Sequence, residues 1–121
     1  MVKTIAAISL VYDVSAGMML AFLRPQMQAV FGVPAPLPPI HADLNAIFVT
    51  FVGVGYLLPY RDPIAYRNYM WIFGVGLKTA GAVAFIADYL LRGAPSSSLI
   101  FAASDALIAA LTLGALVRTK N

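Results

Sequence analysis

The sequence predicts an all-α fold: a four-transmembrane-helix bundle, antiparallel, with both termini cytoplasmic. Three observations carry this. Hydrophobic residues make up 61% of the 121-residue chain and charged residues 11%, with a mean hydropathy of +0.85; soluble domains are about 25% charged. Four apolar runs, at residues 5–23, 42–60, 69–91 and 99–117, each come close to the roughly 20 residues that cross about 30 Å of hydrocarbon. The basic residues are also unevenly placed. Lys3, Arg61, Arg67, Arg118 and Lys120 fall on the side shared by the termini and the second loop, against Arg24 and Arg92 on the other. The positive-inside rule puts the richer side in the cytoplasm. The expected layout is a single transmembrane domain, 1–121, with helices at about 4–23, 42–60, 64–92 and 97–117.

The first helix should stop near Arg24-Pro25, because proline cannot continue a helix interior and arginine reaches for the headgroups. Within the periplasmic loop 24–41, residues 26–31 suit a short interfacial helix ended by Gly32. The proline-rich stretch that follows, 33–39, reads as an extended connector or as a strap for a partner subunit. His41 and Asp43 read as the cap of the second helix. Two such ligands are too few for a metal site.

The second helix carries Gly53 and Gly55, which suit close helix approach. A phosphate-binding reading of Gly-Val-Gly fails for want of a preceding strand. Asp62-Pro63 reads as the N-cap and first residue of the third helix, which carries Gly74 and Gly81. The fourth helix repeats small residues at Ala102, Ala106, Ala110 and Gly114, and a serine of Ser96-Ser97-Ser98 should cap it. Gly53, Gly55, Gly74, Gly81, Ala106 and Ala110 are the expected helix-packing positions.

Asp13, Lys78 and Asp105 are the candidate site. Each is an ionisable group inside an apolar run, where a charge costs roughly 2.5–3.5 kcal/mol or more. At about 1.5 Å of rise per residue, they lie roughly 15, 16 and 20 Å deep, in one layer. Lys78 should pair with Asp105, because their helices are joined by a short loop. One of the two aspartates should then hold a proton, since three charges with a net of −1 are costly in low dielectric.

The absence of cysteine rules out disulfides and thiolate chemistry. With no catalytic motif and no cofactor signature, the expectation is a non-enzymatic protein without cofactor or metal. The net charge of +3 is topological and does not point to nucleic acid.

From Val52 onward, the string Val-Gly-Val-Gly-Tyr-Leu-Leu-Pro-Tyr-Arg-Asp-Pro resembles a group of small bacterial four-helix membrane proteins that are loosely DoxX-like. So do Arg67-Asn68, Gly76-x-Lys78 and Asp105-Ala106, and Phe31-Gly32-Val33-Pro34 earlier in the chain. Pro59-Tyr60 stands where many of them have Ala-Ala. The resemblance covers most of the chain and implies a four-helix bundle in the bacterial inner membrane, with no settled activity. The leading expectation is a non-catalytic accessory or structural subunit of a larger membrane complex, its partners being the bilayer and other membrane subunits or copies of itself. The alternatives are a small proton-coupled transporter using Asp13, by similarity to the small multidrug resistance transporters, or a binder of a lipid, quinone or isoprenoid.

Overall fold

The computed structural model describes residues 1–32 and 38–119. Four helices are long and apolar enough to cross a membrane: Val2–Phe22, Ile40–Arg61, Arg67–Arg92 and Ser98–Arg118. Only 22–33% of each span is buried inside the protein. The outward faces carry large apolar side chains such as Phe51, Val83, Leu90 and Leu107. This distribution suits a lipid surround, and the chain is a multi-pass membrane protein.

α1 (Val2–Phe22) ends where Leu23 leaves helical geometry, at φ −122° and ψ 30°. Pro25 then sits in the first turn of α2 (Arg24–Phe31), where its missing N–H costs nothing. α2 begins two residues before the expected position and buries none of its residues. It ends at Gly32, whose φ of 67° is left-handed and suits a residue without Cβ. Of the proline-rich connector, residues 33–37 lie outside the described residues.

The second span starts at Ile40, so His41 and Asp43 lie inside its first turn, and Asp43 caps no backbone amide. Instead Asp43 accepts from Arg24 Nη2 at 2.6 Å, and the arginine ties α2 to the second span. The span is broken into α3 (Ile40–Gly55) and α4 (Leu57–Arg61). The cause is Pro59, which has no N–H to return to the Gly55 carbonyl. At the break, the Tyr56 amide bonds back to Gly53 O at 3.1 Å.

The third span begins at Arg67, later than the expected 64. Asp62 Oδ1 accepts from the amides of Ile64 at 3.2 Å and Ala65 at 3.0 Å. These are the expected N-cap bonds, and the Tyr66 amide returns to Asp62 O at 3.1 Å, but the turn they cap spans only residues 63–66 and the helix starts afresh at Arg67. α5 (Arg67–Tyr69) then runs into a π-helical segment, Met70–Leu77, and on into α6 (Lys78–Arg92). The wide turns change which residues share a face, a feature of helices near functional sites. α7 (Ser98–Arg118) completes the bundle.

Contacts at the glycines fix the helix directions. A Cβ at Gly17 would strike Thr50 of α3, and one at Gly53 would lie 2.8 Å from Val14 N. A Cβ at Gly74 would lie 2.7 Å from Thr112 Cγ2, and one at Gly81 2.7 Å from Asp105 Oδ2. In each pair one number rises as the other falls, so α1 runs antiparallel to α3, and the third span antiparallel to α7. Gly53, Gly74 and Gly81 are therefore points of close helix approach. Gly55 makes room for the Tyr69 side chain.

The fourth helix departs from the expected ladder. Ala106 and Ala110 are exposed, and a Cβ at Gly114 would meet nothing within 4 Å. A four-residue step advances about 400° and drifts off a face that repeats every 3.6 residues. The buried face follows Ala102, Ala109 and Thr112, with Asp105 half-buried on it, the stripe that helical spacing predicts for the polar and small residues of this helix. Ser97 stands at the N-cap of α7 but makes no capping bond; its hydroxyl donates to Phe31 O of α2.

The spans converge at the end that holds the termini. There Val2, Ile5 and Ala6 pack with Val52, Tyr56, Met70, Ala115 and Leu116 as one core. Arg67 donates to the Leu116 carbonyl and Tyr69 to that of Val52, satisfying backbone groups between spans. Towards the other end α3 and α6 are not closely packed against each other, and the bundle opens.

Gly53→Ala should destabilise the protein, because its new Cβ meets the Val14 backbone as well as a side chain; overpacking of this kind costs about 1–3 kcal/mol. Ala106→Leu should change stability by less than about 0.5 kcal/mol, as expected for a surface position. Reversible unfolding in mixed micelles measures both.

Candidate functional site

The ionic layer is built from three helices. Asp13 lies midway along α1, Lys78 stands where the π segment gives way to α6, and Asp105 lies on α7. Lys78 Nζ donates to Asp13 Oδ1, and its distance to Asp105 Oδ1 is 3.9 Å. The expected Lys78–Asp105 ion pair is present but is the longer of two: Lys78 bridges both aspartates and hydrogen-bonds Asp13. The short loop between the third and fourth spans brings their backbones together, but Gly81 is the residue that meets Asp105. One turn earlier, the π segment delivers Lys78 to the first helix. Asp13 and Lys78 are 3% and 6% exposed, while the Asp105 side chain keeps 14%. The difference matters because Asp105 faces open space.

Tyr12 joins the layer from α1. Its hydroxyl lies 2.6 Å from Ser104 Oγ of α7, and Lys78 Nζ sits 4.6 Å from its ring centroid. Ser104 also donates to Phe101 O at 3.0 Å. Ser104 was not singled out in the sequence, where it is one more small polar residue in an apolar run. Its position beside Asp105, facing a tyrosine beside Asp13, was the available clue. On the terminal side of the layer, the Ser9 and Tyr56 hydroxyls are buried without a hydrogen-bond partner.

Above the layer lies a cavity of about 460 Å³. Tyr12, Asp13, Ala16 and Leu20 of α1 form one wall, and Phe101 and Asp105 of α7 another. Lys78, Gly81, Phe85 and Asp88 line it from the third span, and Asn45, Phe48 and Val49 from α3. Met27, Gln28 and Phe31 of α2 close the end away from the termini. Asn45 and Phe48 are exposed, with Phe48 at 52%. Since α3 and α6 do not pack closely, the cavity opens sideways between them, into the lipid.

The apolar walls are strongly aromatic. Phe31 and Phe101 have centroids 4.9 Å apart, and Phe85 stacks on Phe101 at 5.4 Å. Phe85 belongs to this lining, whereas Tyr56 is buried below the layer. The remaining charges near the cavity are paired: Arg24 with Asp43, and Asp88 with Arg92 at 3.6 Å. Among the described residues no group of three or more His, Cys, Asp or Glu side chains could hold a metal ion.

The chain matches no family model, no curated protein and no solved structure.

Two experiments test the layer. Lys78→Met leaves two buried carboxyls without their cation and should cost about 3–5 kcal/mol. In double-mutant cycles, the coupling of Lys78→Met with Asp13→Asn should exceed that with Asp105→Asn by about 1 kcal/mol or more. Equal couplings would contradict the asymmetric pairing.

Proposed function

We propose that this protein binds a membrane-dissolved amphiphile in the cavity between α3 and α6, without acting on it chemically. The observation that carries this reading is the cavity itself. It is large enough for a small ligand, walled by apolar and aromatic groups, and floored by convergent polar groups at Asp13, Lys78, Asp105 and Tyr12. Its lateral opening admits a molecule from the bilayer, with no need for passage through water. A lipid, quinone or isoprenoid with a small polar head fits this description, and no resident cofactor is needed for it.

We place the protein in a bacterial inner membrane, with both termini in the cytoplasm, on the excess of Lys and Arg at that end. The cavity then occupies the periplasmic half, and α2 lies over it at the periplasmic surface. The DoxX-like resemblance supports the same setting.

A second reading, an accessory subunit of a larger membrane complex, draws on a separate feature. A shallow apolar groove on the lipid face runs past Leu44, Ile47, Phe51, Gly55, Tyr69 and Phe73. A helix of a partner subunit is a suitable occupant for such a groove. Transport through Asp13 is less favoured, because that carboxylate is engaged by Lys78.

Native mass spectrometry of the protein released from nanodiscs tests the leading reading. A bound amphiphile should be retained by the wild type and lost from Gly81→Leu, whose side chain fills the cavity. Equal retention by both would place the ligand elsewhere. Stoichiometric co-purification of larger membrane proteins, lost on Phe51→Ser, would support the subunit reading.

A further inference from the structure

We infer that the cavity selects a lipophilic organic cation, with Asp105 as its counter-ion. This rests on the cavity being a ligand site, and it specifies the class of ligand.

The first argument is charge. The groups that line the cavity, with their ionic partners, contain four carboxyls (Asp13, Asp43, Asp88 and Asp105) and three cations (Arg24, Lys78 and Arg92). Arg24 is satisfied by Asp43, Arg92 by Asp88 and Lys78 by Asp13. Asp105 is the carboxyl with the weakest hold on a cation, sharing Lys78 at the longer distance. Its distance of 3.9 Å to Lys78 is beyond hydrogen-bonding range, and the lysine is already committed to Asp13. The proton expected on one of the two aspartates falls to Asp105, which lacks the hydrogen bond from Lys78; an incoming monocation would displace that proton and leave the set neutral, whereas an anion would bring a charge with no partner.

The second argument is the walls. Tyr12, Phe31, Phe48, Phe85 and Phe101 all border the cavity. Aromatic faces attract a cation through their quadrupole, and more strongly once water is excluded. Tyr12 already holds Lys78 in this way. Among the described residues, no cation lies over the phenylalanines beyond it.

The third argument is access. Gly81 faces Asp105 across the third and fourth spans, and a Cβ there would lie 2.7 Å from Asp105 Oδ2. A side chain at this position would press on the carboxylate; glycine keeps the cavity side of Asp105 free. An organic cation with a flat aromatic or alkyl body can enter between α3 and α6 and set its charge against Asp105. A hydrated metal ion has no such route through lipid.

The test compares two probes of the same shape. Binding of 1-methyl-4-phenylpyridinium and of its uncharged isostere 4-methylbiphenyl is measured by equilibrium dialysis. The full-length protein is held in phosphatidylcholine nanodiscs, with empty discs as the blank. The cation should bind about tenfold or more tightly than the isostere after subtraction of lipid partitioning. Asp105→Asn should lower cation affinity by about tenfold and leave isostere affinity within about twofold. Should that variant fail to fold, the wild-type preference between the two probes decides by itself. Equal binding of both probes would overturn the cation assignment while leaving amphiphile binding intact. Cation preference that survives in a folded Asp105→Asn protein would overturn the role of Asp105. If neither probe binds and Gly81→Leu loses no co-purified amphiphile, both this inference and the function it rests on fall.

Discussion

The buried pair between Lys78 and Asp13 is the constraint on which the rest of the arrangement depends. The first and second spans form one antiparallel hairpin, and the third and fourth another. Lys78 belongs to the second hairpin and Asp13 to the first, so their bond crosses the seam between the two. Neither charge can be left alone inside an apolar bundle, since separation would strand an ion in low dielectric. The pair thus holds the hairpins at one register, and Tyr12 and Ser104 reinforce the same level.

Once that level is set, the two ends of the bundle take different forms. On the side of the termini, small residues and the buried Tyr56 and Met70 let the spans close into a core. Arg67 and Tyr69 donate to backbone carbonyls of neighbouring spans there. On the other side α3 and α6 stand apart, with α2 drawn across the end by Arg24–Asp43 and by Ser97 on Phe31. A closed half and an open half joined at an ionic floor make a receptacle with one polar end. The proposed ligand would rest its polar end on that floor.

Much of this was legible before any coordinates. Apolar run lengths locate four spans to within a few residues, because the thickness of hydrocarbon dictates them. Intramembrane charge singles out Asp13, Lys78 and Asp105, because such residues carry a cost that few positions sustain. Small residues mark Gly53, Gly74 and Gly81 as sites of close approach. The same reasoning failed at Ala106 and Ala110, where a regular four-residue spacing was taken for a face. It failed again at Ser97, whose hydroxyl bonds to α2; Asp62 makes the bonds of an N-cap, but to a turn that ends before the helix begins at Arg67.

By itself the sequence determined an all-α protein of four spans with a buried layer of charge, since hydropathy and charge cost are properties of residues and their order. Only the tertiary structure decided which aspartate Lys78 hydrogen-bonds, and so which one keeps only the longer contact. That choice turns on the rotation of the third span about its axis. The π segment at Met70–Leu77 sets this rotation locally, through turns wider than those the 3.6-residue period assumes. The separation of α3 from α6 is likewise a matter of how hairpins dock, which no single segment encodes.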